Sequence, residues 1–206
     1  MDAQHTADMT DSSQPLESND TTVASGAPQT DAEGTEATTV HALYESPLGT
    51  LYLAATGTAL VGSWFQGQAH FPTPHVLGDR VQLNDSPILQ QAAEELSEYF
   101  EGKRTSFDLP LAPDGTDFQL AVWETLKDIP YGYTTTYGHI SKIVGPGAPA
   151  QAVGQAVGHN KISIFVPCHR VLSADGKLTG YAAGIDRKQY LLDLEAPSAE
   201  EEGRLF

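Results

Sequence analysis

One short segment of the chain combines a nucleophile, a base and a cation. Cys168, the only cysteine among 206 residues, follows Pro167 and is followed by His169, Arg170 and Val171. A thiolate is a strong nucleophile, and neighbouring histidine or arginine side chains favour its formation. Adjacent side chains of an extended chain point to opposite faces, so we expect His169 to reach Cys168 through a water or after a local bend. The alternative is a buried structural cysteine without a chemical role.

The segments before Cys168 indicate how it is positioned. The β-rich run 162–166 is predicted to be extended up to Pro167, because proline disfavours helical backbone in the residue before it. Further upstream, one helix ends near 130–132, and Thr136 can cap a second helix that stops at 145–147. A third helical segment covers 149–157. Two short helices joined by a glycine-bearing turn are typical of a helix-turn-helix, and equally of any helical hairpin.

The third helical segment has an unusual composition. Only Gln151 and Gln155 are longer than valine, which is too few side chains to read a base sequence in the major groove. Small residues allow close approach of the backbone. The segment therefore serves either tight helix packing or docking into a nucleic-acid groove without sequence preference.

The first half of the chain follows a different pattern. Three β-rich runs within 40–65 are separated by turn residues and predict a three-stranded antiparallel meander. Ser86 and Pro87 mark the start of a helix, and alternation at Phe107, Leu109 and Leu111 predicts a further strand. We therefore expect an α+β protein, with a small α/β domain over 40–112 and a mainly helical domain over 113–196.

Net charge and composition exclude several classes of protein. The formal net charge of −16 argues against a basic nucleic-acid coat. Residues 1–39 hold eight acidic residues and neither lysine nor arginine, which predicts a disordered acidic tail. A second acidic tail is predicted over 197–206. Between 117 and 195 seven acidic residues balance seven basic ones. The charge of this segment therefore does not exclude local contact with DNA.

The number of cysteines and the distribution of apolar residues predict which cofactors the protein uses and where it is located. One cysteine cannot form an intramolecular disulfide, and cysteine-rich zinc sites need more thiolates, so no metal is expected. We find neither a membrane-spanning run nor a signal-peptide pattern, which predicts a cytoplasmic protein without a membrane partner.

With these elements in place, the sequence resembles the O6-alkylguanine-DNA alkyltransferases, also called methylated-DNA-protein-cysteine methyltransferases. The resemblance covers about 40–195 and is most specific in the second half, where matches keep their order and spacing. The matching segments are 44–49, 64–68, 118–123, 129–132, 136–138, 152–154, 158–160, 167–171, 178–184, 187–188 and 191–195.

The resemblance implies DNA repair by direct reversal. The damaged base of double-stranded DNA is flipped out, and the alkyl group of O6-alkylguanine moves irreversibly, in a single turnover, to Cys168. O4-alkylthymine stays open as a second lesion. The resemblance further implies no cofactor, a monomer, and a ribonuclease H-like first domain.

Residue roles come with the resemblance as well. His169 would act as base through a water, Glu195 would orient it, Tyr137 would give a proton to the guanine, and Asn160 would order the active-site loop. Gln151, Tyr137 and Arg170 would contact DNA, and Val171, Tyr181 and Ala182 would line the lesion pocket.

The sequence also departs from the family pattern. Gln151 stands where an arginine commonly fills the gap left by the flipped base. Ala182 and Ala183 replace a hydroxyl residue and a glycine of some members, which leaves pocket size open. His70 and His75 are expected to be loop residues.

Two other functions are compatible with the sequence: a non-catalytic lesion-binding module, whose members typically lack the cysteine, and a cysteine hydrolase using Cys168 and His169.

Overall fold

The computed structural model describes residues 38–145 and 147–197. The predicted tails therefore lie outside the described residues, except for their inner ends. Thr39 already belongs to the first strand, and Pro197 is the last described residue. Within the described part of the chain, no helix is long and apolar enough to cross a membrane.

The first domain is built on a four-stranded sheet. β1 (Thr39–Ser46), β2 (Gly49–Thr56) and β3 (Ala59–Phe65) form the predicted antiparallel meander. β4 (Asp79–Arg80) pairs parallel to β1, so that the strand order is β3-β2-β1-β4. The expected three-stranded sheet thus gains a fourth strand, which two exposed residues are too short to reveal by alternation.

Helices cover both faces of this sheet. α1 (Pro74–Leu77) precedes β4, and α2 (Pro87–Phe100) begins at the predicted proline, although Ser86 makes no side-chain capping bond. The strand expected around Phe107 to Leu111 is wrong. Only an isolated bridge joins Leu111 to Leu60, because Pro110 has no amide proton for a ladder and the amide of Asp108 donates to Glu95 instead.

The second domain is mainly helical, as predicted. α3 (Asp117–Lys127), α4 (Tyr137–Val144), α5 (Ala150–Gly158) and α6 (Ile185–Glu195) accompany a two-residue parallel pair, β5 (Thr135–Thr136) with β6 (Val171–Leu172). The Thr136 hydroxyl caps α4 by accepting from the amide of His139 at 3.2 Å. α4 and α5 pack against each other, as expected of a helix-turn-helix and of any helical hairpin.

The two domains share one hydrophobic core and several direct contacts. The outer edge of β3 bonds to the chain before Cys168: the Ser63 amide donates to the Lys161 carbonyl at 2.8 Å, and the Ser163 amide donates to the Ser63 carbonyl at 2.9 Å. Arg187 of α6 donates to the Leu48 carbonyl at 3.0 Å and lies over the ring of Phe65. The active-site loop is therefore held by the first domain.

Candidate active site

Cys168 begins a short 3-10 turn, Cys168–Arg170, at the end of a folded-back loop. The Val166 amide donates to the Ile162 carbonyl at 3.0 Å, and Ile164 has a positive φ of 74°. The expected extended run up to Pro167 is therefore wrong. The chain thus turns sharply at Ile164, four residues before Cys168, and Cys168 is only 4% exposed.

Asn160 organises this loop. Its Nδ2 donates to the Val166 carbonyl at 2.8 Å and to Cys168 Sγ at 3.0 Å, and its Oδ1 accepts from the Ile162 amide at 3.0 Å. One buried amide therefore fixes both ends of the loop and the sulfur itself.

The thiol is not ionised by its sequence neighbours, contrary to expectation. Burial raises the pKa of the Cys168 thiol, and the hydrogen bond from Asn160 and the charge of Lys188 offset this only in part. Arg170 does not favour a thiolate, since its guanidinium is bonded elsewhere. Cys168 therefore rests as a neutral thiol and needs a base when it reacts.

Glu195, at the end of α6, gathers several donors around one buried carboxylate. Its Oε1 accepts from His169 Nε2 at 2.9 Å and from the Tyr99 hydroxyl at 2.7 Å, and Arg170 binds both of its oxygens at 2.7 and 2.8 Å. Burial alone would raise the pKa of Glu195, but the hydrogen bonds from His169 and Arg170 prevail and lower the pKa to about 2. The carboxylate is ionised and orients His169.

His169 is completely buried, and burial lowers its pKa although Glu195 opposes the shift. A neutral ring that donates from Nε2 to Glu195 carries its lone pair on Nδ1. That Nδ1 is buried and has no hydrogen-bond partner among the described protein groups. His169 is thus a neutral base with one ring nitrogen available.

Arg170 is not on the surface where DNA could be contacted. Only 6% of the residue is exposed, and its guanidinium also donates to the Ile129 carbonyl. The expected DNA contact is therefore wrong: a buried carboxylate needs a cation, and Arg170 serves Glu195.

Two functional positions were missed by sequence reasoning. Tyr99, in α2 of the first domain, reads as one of two packing aromatics at the end of its helix. Lys188, in α6, is buried and donates from Nζ to the carbonyls of Val171 and Thr179 at 2.5 and 3.0 Å. A lysine inside an otherwise helical pattern is usually exposed, so no local signal identifies its role. It ties the strand after Cys168 to the loop at 179–182.

A cavity of about 380 Å³ lies beside this loop. Tyr137, Tyr181 and Ala182 line it, together with Gly154, Gly158, Thr179, Gly180 and His70. Tyr137 donates to the Thr179 carbonyl at 3.2 Å, and burial raises the pKa values of Tyr137 and Tyr181. Val171, expected in the pocket, is completely buried and is not one of the lining residues.

α5 borders the cavity and packs closely on its neighbours. A Cβ added at Gly154 would lie 3.8 Å from the Tyr137 ring, and Trp123 Nε1 donates to the Ala156 carbonyl at 2.8 Å. Gln151 is exposed near the start of the helix. The small residues of α5 therefore allow tight packing on one side of the helix. On the other side, beside the cavity, they leave a surface of short side chains.

Comparison with known proteins gives this arrangement a family. Residues 117–197 match the model of the 6-O-methylguanine DNA methyltransferase, DNA binding domain, and residues 39–113 match that of its ribonuclease-like domain. The methylated-DNA--protein-cysteine methyltransferase of Methanosarcina acetivorans is 44% identical over 156 residues, which are 75% of this chain and 97% of that protein. The Mycobacterium bovis protein of the same name is 44% identical over 163 residues, 79% and 95% of the two chains.

Solved structures agree. The crystal structure of Mycobacterium tuberculosis OGT in complex with DNA has a TM-score of 0.69 and 45% identity, over 76% of this chain and 94% of that one. The crystal structure of the O6-methylguanine methyltransferase of the same organism has a TM-score of 0.69 and 43% identity, over 79% and 97%. Both domains, their order and the buried cysteine loop therefore have one explanation: the chain belongs to the 6-O-methylguanine DNA methyltransferase family.

Proposed function

We propose that this protein repairs DNA by moving the alkyl group of O6-alkylguanine to Cys168, once per molecule. The observation that carries the proposal is a buried neutral thiol beside a neutral histidine whose Nε2 is bound to an ionised carboxylate. The relatives are named for methyl transfer from DNA to a protein cysteine, and one similar structure is a complex with DNA. A monomer acting on double-stranded DNA suffices for this chemistry.

The first step is activation of the thiol. The Cys168 proton passes through one water to the lone pair on His169 Nδ1, and Glu195 stabilises the imidazolium that forms. The unpartnered, buried Nδ1 supports this route. Sγ then attacks the alkyl carbon, the carbon–oxygen bond breaks, and its electron pair stays on the guanine.

The leaving guanine accepts a proton as charge builds on its ring, and Tyr137 is the proposed donor. Its hydroxyl donates to the Thr179 carbonyl at 3.2 Å. Entry of a base exchanges that carbonyl for a ring nitrogen. The product is a thioether, whose carbon–sulfur bond neither water nor a thiol cleaves under these conditions, so Cys168 is not regenerated and the reaction ends with the first turnover.

We also propose that the damaged base is flipped into the cavity of about 380 Å³ beside α5. An enzyme acting on a base in a duplex has to take it out of the stack. Because the side chains of α5 are short, this helix can approach DNA closely whatever the base sequence. The cavity lies next to the helix.

One experiment tests the function against its alternatives. The protein is incubated with a duplex carrying O6-methylguanine labelled in the methyl group, and label per protein is counted. We expect one equivalent on Cys168. Tight binding without label would favour a lesion-binding module, and more than one equivalent of product would favour a hydrolase.

The exposed Gln151 leads to a prediction about DNA affinity. Glutamine fills space and hydrogen-bonds, but it lacks the charge of an arginine. Gln151→Arg should therefore raise the rate of transfer from duplex DNA at limiting protein by about fivefold, measured in single-turnover assays. Gln155→Arg, on the same helix, is the matched control. Equal rates for wild type and Gln151→Arg would contradict the proposal for this residue.

The lowered pKa of His169 leads to a prediction about pH. The base form must be present for transfer, and burial moves the pKa below the ordinary value of 6.5. The transfer rate at saturating DNA should stay flat as the pH falls from about 8 to 6.5 and decline only below that value. A rate that climbs steadily above pH 8 would instead show that Cys168 ionises without His169.

A further inference from the structure

Two histidines from different domains meet at the rim of the cavity. His70 lies after β3 in the first domain, and His159 directly follows α5 in the second. Their rings stack with centroids 3.9 Å apart and planes 29° from parallel. His70 lines the cavity, whereas His75, the other histidine of that region, lies in α1 and is not among the lining residues.

Both rings are held in place. The Ala69 amide donates to the Ala182 carbonyl at 2.9 Å, and His70 has a φ of 58°, a conformation uncommon for residues other than glycine. His159 Nδ1 donates to the Gln155 carbonyl at 2.7 Å. The backbone therefore places the His70 ring over His159 beside the loop at 179–182, although both histidines are exposed at the surface.

Most residues that line the cavity have small side chains or none, so the His70 ring forms a large part of its wall. Gly154, Gly158 and Gly180 contribute no side chains, and Ala182 contributes one methyl group. The larger side chains of the wall are those of Tyr137, Tyr181, His70 and Thr179, and the first three are rings. The two tyrosines belong to the second domain, so His70 is the contribution of the first domain to the wall.

We propose that His70 is a specificity-determining residue that limits the size of the alkyl group accepted, and that His159 holds its ring in position. The inference rests on the proposed function. With the ring in place, a methyl group is accommodated and a flat aromatic substituent such as benzyl meets the imidazole. Without the ring, the cavity is wider on the side of the first domain.

The test compares two duplexes of one sequence that differ only in carrying O6-methylguanine or O6-benzylguanine. Single-turnover rates are measured for wild type, His70→Gly, His159→Ala and the control His75→Ala. Because DNA affinity is common to both substrates, the ratio of benzyl to methyl rates reports the pocket alone. We expect His70→Gly to raise this ratio about tenfold, His159→Ala to raise it less, and His75→Ala to leave it unchanged.

The outcomes separate the inference from the function. An unchanged ratio in His70→Gly, with methyl transfer intact, overturns the inference. Equal losses for both substrates also overturn it, since they show a structural role. If His70→Gly does not fold, His70→Asn keeps the positive φ accessible with a smaller side chain, and its ratio decides. Absence of methyl transfer in wild type would overturn the proposed function itself.

Discussion

Substitution of Cys168 by alanine is expected to remove alkyl transfer completely and to leave binding of alkylated DNA intact. The chain has a single thiol, so no second thiol can take over the alkyl carbon. The fold should survive, because Asn160 keeps its bonds to the Val166 carbonyl and the Ile162 amide. Loss of one buried sulfur costs at most a few kcal/mol, of the order seen for large-to-small core changes.

The measurement is label transfer from methylated duplex, with binding followed separately by fluorescence anisotropy of the same DNA. Cys168→Ser is the matched control, since its hydroxyl can still accept from Asn160 yet is a far weaker nucleophile. Both variants should bind and neither should acquire label. Label on Cys168→Ala protein would mean that another residue accepts the alkyl group.

The second large effect is expected from Glu195→Gln. The carboxylate compensates Arg170 and accepts from His169 and Tyr99 in the interior. Removing one partner of a buried pair leaves an uncompensated charge, so the free energy of unfolding should fall by about 3–5 kcal/mol. Transfer should slow by about 100-fold or more, because His169 loses the group that orients it and stabilises its protonated form.

Urea denaturation and single-turnover rates measure these two changes. Glu124→Gln is the control: Glu124 pairs with Lys127 on the surface of α3, and such pairs contribute about 0–1 kcal/mol. The acid dependence gives a second readout. The folded-state pKa of Glu195 is lowered from 4.5 to about 2, so its contribution to stability is present above about pH 4.5 and is lost as the pH falls toward 2. Glu195→Gln should lack this loss, and an unchanged acid dependence would contradict the buried pair.

The sequence predicted those parts of the molecule that depend on local pattern. The meander, the start of α2 at Pro87, the Thr136 cap and the helix-turn-helix each follow from residues close together in the chain. Cys168, His169 and Asn160 likewise fall in one segment of ten residues. Their roles came from resemblance, and the structure adds that Asn160 bonds Sγ directly.

What the sequence could not predict depends on distant contacts. The hydrogen bond between Tyr99 and Glu195 joins residues 96 positions apart. No sequence pattern near either residue indicates this contact. From the sequence, the position of Arg170 two residues after Cys168 suggests a DNA contact. In the structure, the carboxylate of Glu195 at the end of α6 binds its guanidinium instead. His70 has a defined neighbour only because the first domain packs on the loop at 179–182.

The bonds of Ser63 to Lys161 and Ser163 have a consequence for solubility. β3 is an edge strand, and a free edge offers unpaired amides and carbonyls on which another chain can add a strand and aggregate. In this protein the loop that carries Cys168 covers part of that edge, and the chain near Pro110 and Ala112 covers more of it through Leu60. A substitution that breaks these backbone bonds is therefore expected to uncover part of the β3 edge and to favour self-association.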